Sequence, residues 1–342
     1  MRQSFLRRCG VSLALAGWGV ASSAGPQIPH VREIDVYGAG KVTAARILRE
    51  AKLQTGQPLP ASKGDLEDRI NAISGILRAR VEAVCCEGAD AILFVGVEQK
   101  GGPRVAFRSD PTGKSVLPEN LAGDYQEFVE IVRQAVQQKA SSDLVSSSTA
   151  DAARGLEAKF ASFTGDHMAE LRDVLRNSED PEQRAIAAAV IGYAPKKADV
   201  VADLQFALQD PDESVRSSAL RSLKALAAAG ARDPSLAVSI SPTWLIELLN
   251  SLVLSDRLQA AEILVTLSDR HEAAVIDQMR ARALPALAEM ARWETLRYSL
   301  PPFLLVGRIA GLNEQEIHQR WSNGERETVI QKALARRAAG RK

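Results

Sequence analysis

Two short segments of this chain contain residue types that bind phosphate or zinc in enzymes. Gly113-Lys114-Ser115 has the end of a phosphate-binding loop, but that motif needs a glycine five residues earlier, where this chain has Arg108. His271-Glu272 has the start of a zinc-protease helix, but Val275 replaces the second histidine ligand. The chain has no G-x-S-x-G segment, and its four histidines are never at metal-ligand spacing. The sequence therefore gives no evidence for catalysis, a cofactor or a metal site, and we predict that the protein is not an enzyme.

The arginines, in contrast, occur in a pattern. An eight-residue segment is repeated three times, as RAIAAAVI, RSSALRSL and RLQAAEIL. Each copy begins with an arginine: Arg184, Arg216 and Arg257. Three residues later each copy has an alanine: Ala187, Ala219 and Ala260. Because positions three, four and seven apart lie on one face of a helix, each copy predicts a helix with a stripe of small residues. Helices this short cannot bury enough surface alone, so the copies predict a stacked α-solenoid.

Aspartates before the three copies indicate where the helices begin. Asp180-Pro181 and Asp210-Pro211 come before the first two copies, and Asp256 comes before the third. Aspartate accepts hydrogen bonds from the free N–H groups of a helix start, and proline is tolerated at the first helical position. We also predict one second helix in each unit: 200–208, 244–254 and 283–293.

The central copy resembles a HEAT repeat. In QDPDESVRSSALRSLKAL, the family's pattern of aspartate, Val-Arg, alanine and leucine corresponds to Asp210, Val215, Arg216, Ala219 and Leu223. The resemblance covers roughly residues 160–330, and we assign 156–335 to HEAT-like helical repeats. It implies that Asp210 and Arg216 link adjacent units and that the solenoid binds other proteins.

Residues 28–99 have a different pattern, in the order strand, helix, helix, strand, strand. This order resembles the POTRA domain, the polypeptide-transport-associated module. The matching segments are Ile34-Asp35-Val36-Tyr37-Gly38, Ile47-Leu48, Gly56-Gln57-Pro58-Leu59, Val81 and a strand ending near Glu98. The fold class that we predict is therefore an α+β module of the POTRA-like type followed by an all-α HEAT-like solenoid.

The resemblance to POTRA implies a three-stranded sheet with the strand around 80–85 at one edge. An edge strand has unpaired N–H and C=O groups to which an extended peptide can add. We predict partner binding at five consecutive residues: Arg80, Val81, Glu82, Ala83 and Val84. The alternative is that the charges of Arg78, Arg80 and Glu82 protect this edge from pairing.

Residues 100–155 are predicted to form a linker with one helix. A stretch rich in glycine, proline and charge over 100–120 precedes a helix predicted over 124–139. The serines between 139 and 150 are typical of a flexible joint or, equally, of a long surface loop.

The first 24 residues have the pattern of a secretory signal peptide. Arg2, Arg7 and Arg8 precede an apolar run over 11–21, and small residues follow up to Ala24. The apolar run is too short to span a bilayer. We predict cleavage after Ala24 and export to the periplasm or to the medium; an uncleaved interfacial helix is the alternative.

Composition limits the kind of partner. The chain has 43 Lys and Arg against 42 Asp and Glu, and this near-neutral balance argues against nucleic acid. Cys85 and Cys86 are adjacent, so in an exported protein they are either strand thiols or a reactive pair that oxidises to a strained ring. We expect protein partners and no integral membrane span, with association with the cell envelope as an option.

Together these features predict an exported, non-enzymatic scaffold. It would bind polypeptide partners through the HEAT-like solenoid and by strand addition to the sheet edge. Two alternatives stay open: a HEAT-like lyase-type enzyme that acts on a partner protein, and a purely structural component of the envelope.

Overall fold

The computed structural model describes residues 28–87, 90–142 and 146–339, with side chains over 28–84, 90–139 and 146–336. The predicted signal peptide and the side chains of Cys85 and Cys86 lie outside this description. The strands are β1 His30–Tyr37, β2 Ile76–Glu87 and β3 Asp90–Gln99. The α-helices of the described residues are α1 Ala44–Ala51, α2 Lys63–Asn71, α3 Glu119–Ser142, α4 Ser147–Asn177, α5 Pro181–Ile191, α6 Val201–Ala207, α7 Glu213–Arg232, α8 Thr243–Leu248, α9 Leu254–Leu267, α10 Ala273–Arg282, α11 Leu284–Met290, α12 Leu296–Ile309, α13 Glu314–Ser322 and α14 Arg326–Ala339.

The N-terminal strands form a small mixed sheet in which β3 lies between β1 and β2. β1 runs parallel to β3, and β2 runs antiparallel to it. The predicted order of strands and helices is confirmed, and so is the position of β2 at an edge.

The two short helices α1 and α2 cover one face of this sheet. Thr43 and Ser62 cap them by accepting hydrogen bonds from the N–H groups three residues later. The layer between helices and sheet is apolar, and burial of such side chains stabilises the module. Its members include Ile47, Leu66, Ile70, Val81 and Val95.

An irregularity in β1 decides what the other face of the sheet presents. The register against β3 shifts between Val31 and Glu33, so side chains on either side of the shift lose strict alternation. Val31 packs into the layer beneath α1 and α2, and so do the partly buried Ile34 and Val36. Glu33 and Tyr37 consequently face away from these helices, towards the solenoid.

The helical part is built as two layers. α5, α7, α9 and α12 pack side by side in the first layer, and α4 extends it at the N-terminal end. α6, α8 and α11 pack behind α7, α9 and α12 as the second layer. The alanines of the repeated stripe have no exposed surface: Ala187, Ala219 and Ala260. Small side chains at these points let neighbouring helices approach closely, and the stacked helical repeat is confirmed.

Some local predictions about the repeats are wrong. Asp180 caps α5 as expected, but the N-cap of α7 is Asp212 and not Asp210. Asp256 lies inside the first turn of α9, which begins at Leu254. The helix predicted over 244–254 is therefore shorter, because α8 ends at Leu248 and the next helix takes the last residue.

Helices α3 and α4 pack against each other where the sequence predicted a linker with one helix. The serine-rich segment extends both of them, and only residues 143–145 between them lie outside the description. Phe128 of α3 packs edge-on against Phe160 of α4 and Tyr193, with ring centroids 5.6 and 6.0 Å apart. Among the described helices, none combines the length and the hydropathy needed to cross a membrane.

The buried stripe gives a prediction about stability. Replacing Ala219 by leucine adds three carbons at a packed helix contact, so we expect the free energy of unfolding to fall by about 1–3 kcal/mol. Ala225 is exposed on the same helix and provides the control, since Ala225→Leu should change stability by less than about 0.5 kcal/mol. Denaturant unfolding of both variants measures the difference. Equal stabilities would contradict the packing of α5, α7 and α9.

Candidate interaction surface

Buried Arg–Asp pairs connect consecutive repeat units. Arg184 of α5 binds Asp210 through two hydrogen bonds of 2.8 and 3.0 Å, and Arg216 of α7 binds Asp256 at 2.8 and 3.0 Å. Both arginines also donate to a carbonyl six residues earlier, at 2.9 Å. Asp210 and Arg216 thus link adjacent units, as the resemblance to HEAT repeats implies. We call this row the ladder.

The third arginine of the pattern has a different partner. Arg257 is buried, donates to the carbonyl of Ser251, and leaves its Nη1 without a hydrogen-bond partner. Its guanidinium lies over the ring of Tyr37, 4.6 Å from the centroid, and burial lowers its pKa. Arg257 thus contacts an aromatic ring of the sheet, and no ion pair of the ladder type is formed by it among the described residues.

Aromatic residues join the sheet to the solenoid around this point. The Tyr37 hydroxyl donates to the carbonyl of Leu252 at 2.9 Å, which ties β1 to the loop before α9. Phe94 of β3 packs edge-on against Trp293 and Tyr298, with centroids 5.2 and 5.4 Å apart. The backbone N–H of Gly38 donates to Glu289 at 3.0 Å. We call this contact between sheet and solenoid the seam.

Two neighbouring carboxyl groups of β1 are buried in the seam. Glu33 accepts hydrogen bonds from the N–H of Glu294 and from the N–H and hydroxyl of Thr295, at 3.0, 3.3 and 2.8 Å. Asp35 bonds to Glu33, and its Oδ2 has no partner. Burial, with the neighbouring charges of Glu33 and Glu294, raises the pKa of Asp35 to about 8. This raised pKa favours the protonated form of Asp35 at neutral pH, in which its hydroxyl can donate to the carboxylate of Glu33.

The connector after β3 runs along the ladder as an extended segment. Phe107 lies against the guanidinium of Arg216, 4.0 Å from its ring centroid, and Arg108 forms an ion pair with Asp210. Gly113 donates to the carbonyl of Asn177, the last residue of α4, and accepts from the N–H of Glu179, both at 2.8 Å. A side chain at Gly113 would collide with the carbonyl of Asn177, so a glycine here permits the close approach of the two backbones.

The five predicted binding residues of β2 divide between two environments. Arg80 forms an ion pair with Glu213 of α7 at 2.7 Å, and Glu82 accepts from the N–H of Leu254 at 3.3 Å. Val84 packs against the same core as the seam. Arg80, Glu82 and Val84 thus face the solenoid, where they help to hold the sheet in place.

The outer edge of β2 is partly occupied by side chains of α2. The N–H of Ala79 donates to Asn71 and that of Val81 donates to Glu67, both at 2.7 Å. These acceptors stand where the carbonyls of an added strand would lie. Because outward and inward N–H groups alternate along an antiparallel strand, the N–H of Ala83 points to the same side as those of Ala79 and Val81. Ala83 is exposed, and no side chain of the described residues accepts from its N–H. The open part of the edge therefore begins at Ala83.

A polar cleft of about 460 Å³ separates β2 from the ladder. Glu98 lies in its wall with one carboxylate oxygen unbonded, 3.7 Å from the guanidinium groups of Arg78 and Arg104. Its walls also include Arg80, Phe107 and Arg216. In the part of the chain that the structure describes, no three His, Cys, Asp or Glu side chains could hold a metal ion together. The cleft offers hydrogen-bonding groups to a polar or extended ligand.

Reasoning from the sequence missed the seam. Glu33, Asp35 and Tyr37 alternate with apolar residues along β1, a pattern typical of a strand with one solvated face. The signal that could have identified the contact is the presence of two aromatic residues, because Tyr37 and Phe94 are too large and apolar to be left on a solvated face. Their partner Trp293 lies 199 residues after Phe94 and 256 residues after Tyr37, and no periodicity connects them.

A comparison with known protein families finds a match over the helices that form the ladder. Residues 168–264 match the family model for HEAT repeats, a range that contains α5, α7 and most of α9. No curated protein matches the chain significantly. The chain therefore has a small mixed sheet of three strands followed by a helical region that contains HEAT repeats. Repeats of this kind usually mediate protein–protein interaction and are generally non-enzymatic.

The buried carboxyl pair gives a prediction about pH. Because the pKa of Asp35 rises from 3.8 in the unfolded chain to about 8 in the folded one, its contribution to stability is lost as pH rises from about 4 to about 8. The lowered pKa of Glu33 acts in the opposite direction, because its contribution to stability is lost as pH falls below about 4.5.

The variant Asp35→Asn tests this, because asparagine keeps a donor to Glu33 and does not titrate. We expect the variant to have a higher Tm than the parent at pH 8 and a Tm that changes less between pH 5 and 8. Thermal unfolding checks this, with the exposed Asp110→Asn as control; parallel profiles of D35N and parent would contradict it.

Proposed function

We propose that this protein is an exported, non-enzymatic scaffold whose solenoid and POTRA-like sheet bind polypeptide partners. The observation that carries the proposal is the attachment of the sheet to the solenoid by buried contacts, with part of its β2 edge left open. Both elements offer extended surfaces, and extended surfaces suit polypeptides better than small molecules. HEAT-like repeats elsewhere in proteins usually have this task, which supports the same conclusion.

The partner-binding residues of the proposal are Arg80, Val81, Glu82, Ala83 and Val84, with different roles. Ala83 marks the start of the open edge, where an extended segment would donate and accept backbone hydrogen bonds. Arg80 and Glu82 fix the strand against α7 and α9. Asn71 accepts from Ala79 and Glu67 accepts from Val81, which restricts strand addition to the half of β2 towards Glu87.

The edge is tested by proline substitution. Ala83→Pro removes an outward N–H that has no internal acceptor, so we expect the protein to fold and to bind the partner about tenfold more weakly. Val81→Pro removes a hydrogen bond to Glu67 at a buried residue and should also lower stability. The partner is identified by crosslinking and mass spectrometry in the native host, and its Kd is then measured for each variant.

Ala83→Ser retains the N–H at the same exposed position and is the matched control. If Ala83→Pro folds and holds the partner as tightly as Ala83→Ser does, strand addition at this edge is wrong. The solenoid would then be the binding element.

Export is tested on the protein from its native host. Cleavage of the signal-peptide pattern predicts a mature chain that begins at Gly25 in the periplasm or the medium. N-terminal sequencing after cell fractionation measures this. A mature species that retains Met1 would contradict the proposal for localisation and leave the scaffold role to be judged by partner binding.

A further inference from the structure

The outer surface of the first helix layer contains an apolar groove, away from the seam and the cleft. It lies between α3, α5 and α7 and has a volume of about 550 Å³. Tyr125 and Val129 of α3 form one wall, Ala185 and Ile186 of α5 contribute to the lining, and Ser217 and Arg221 of α7 form the other wall. A groove of this kind between helices accepts apolar side chains from a partner.

A row of exposed valines continues from the groove along α3. Val129, Val132 and Val136 are 49, 41 and 65 % exposed. Their spacing of three and four residues places them on one side of the helix. Phe128, four residues before Val132, lies at the border of the same side and is packed on α4. The three valines are therefore the exposed part of an apolar face that α4 covers incompletely, and a contiguous exposed row of this kind is typical of an interaction site, whereas single exposed apolar residues need no explanation.

The charges around this surface favour an acidic ligand. Arg221 has no carboxylate partner among the described residues and donates only to the hydroxyls of Ser217 and Ser218, at 3.4 and 3.1 Å. Lys139 is exposed three residues after Val136, so it flanks the valine row. Glu182 also lies in the lining, but in the first turn of α5, where an acid complements the helix dipole.

We propose that this groove and valine row bind an amphipathic helix of a partner protein, with acidic residues beside its apolar face. The proposal deepens the scaffold function and rests on it, and it assigns binding to the first helix layer. The groove between the three helices is concave. It therefore suits a helix that inserts side chains better than it suits a flat lipid surface. The α3 wall lies outside the residues that match HEAT repeats, so this surface is a feature of this chain and not of the repeat in general.

The experiment uses the full chain in its native host, with the photoreactive residue p-benzoylphenylalanine at position 132. The control carries it at position 116, because Val116 is 65 % exposed and lies in the connector outside the groove. We expect crosslinks from position 132 to one partner segment with apolar residues three and four apart and with Asp or Glu between them. Crosslinks to lipid, crosslinks to a second copy of this chain, or no crosslinks above the control would each overturn the proposal.

A synthetic peptide of the crosslinked segment then provides the quantitative test. Arg221→Glu should raise the Kd of the peptide by about tenfold or more, because it reverses the charge that faces the acidic flank. Arg270→Glu makes the same change at an exposed residue outside the groove and should alter the Kd by less than about twofold. Equal affinities of the two variants would overturn the proposal.

Failure of this inference differs from failure of the scaffold function. If groove variants bind the partner normally and Ala83→Pro does not, the groove is wrong and the scaffold stands. If no polypeptide is retained by the parent chain through any surface, both are wrong.

Discussion

The pairing of buried charges in the ladder is the constraint on which the rest of the structure depends. Arg184 and Arg216 are almost completely buried, and a buried charge that loses its partner costs about 3–5 kcal/mol. Each arginine reaches the aspartate of the following unit, so adjacent helix pairs are fixed in one register. At Arg257, the third arginine of the pattern, the ring of Tyr37 lies over the guanidinium, so this end of the row contacts the N-terminal sheet.

Attachment along this row explains why the small sheet has two buried faces. α1 and α2 cover one face with apolar contacts, while the seam covers the other with aromatic rings and a rim of paired polar groups. The connector after β3 adds further contacts between the sheet module and the solenoid, because Phe107 and Arg108 bind residues of the ladder. The end of the β2 edge, the polar cleft and the groove beside α3 remain accessible to a partner.

Much of the fold could be predicted because it follows from short-range patterns. Residues three, four and seven apart specify a helix face, and the alternation around Val81 specifies a strand. The candidate binding residues were less accessible to prediction. The same alternation that identifies Arg80 and Glu82 as one face of a strand does not say whether that face meets solvent or another domain. Likewise, an aspartate before a helix can cap it, as Asp180 does, or point to another unit, as Asp210 does.

The sequence by itself determined that three helices with a small-residue stripe must stack, because none of them buries enough surface alone. It also determined the order of the elements in the sheet module. Only the tertiary structure decided which charges pair. Asp256 precedes Arg257 directly, yet it binds Arg216, forty residues earlier, because the carboxylate of one unit meets the guanidinium of the unit before it. Such partners are set by the distance between stacked helices, which no local pattern contains.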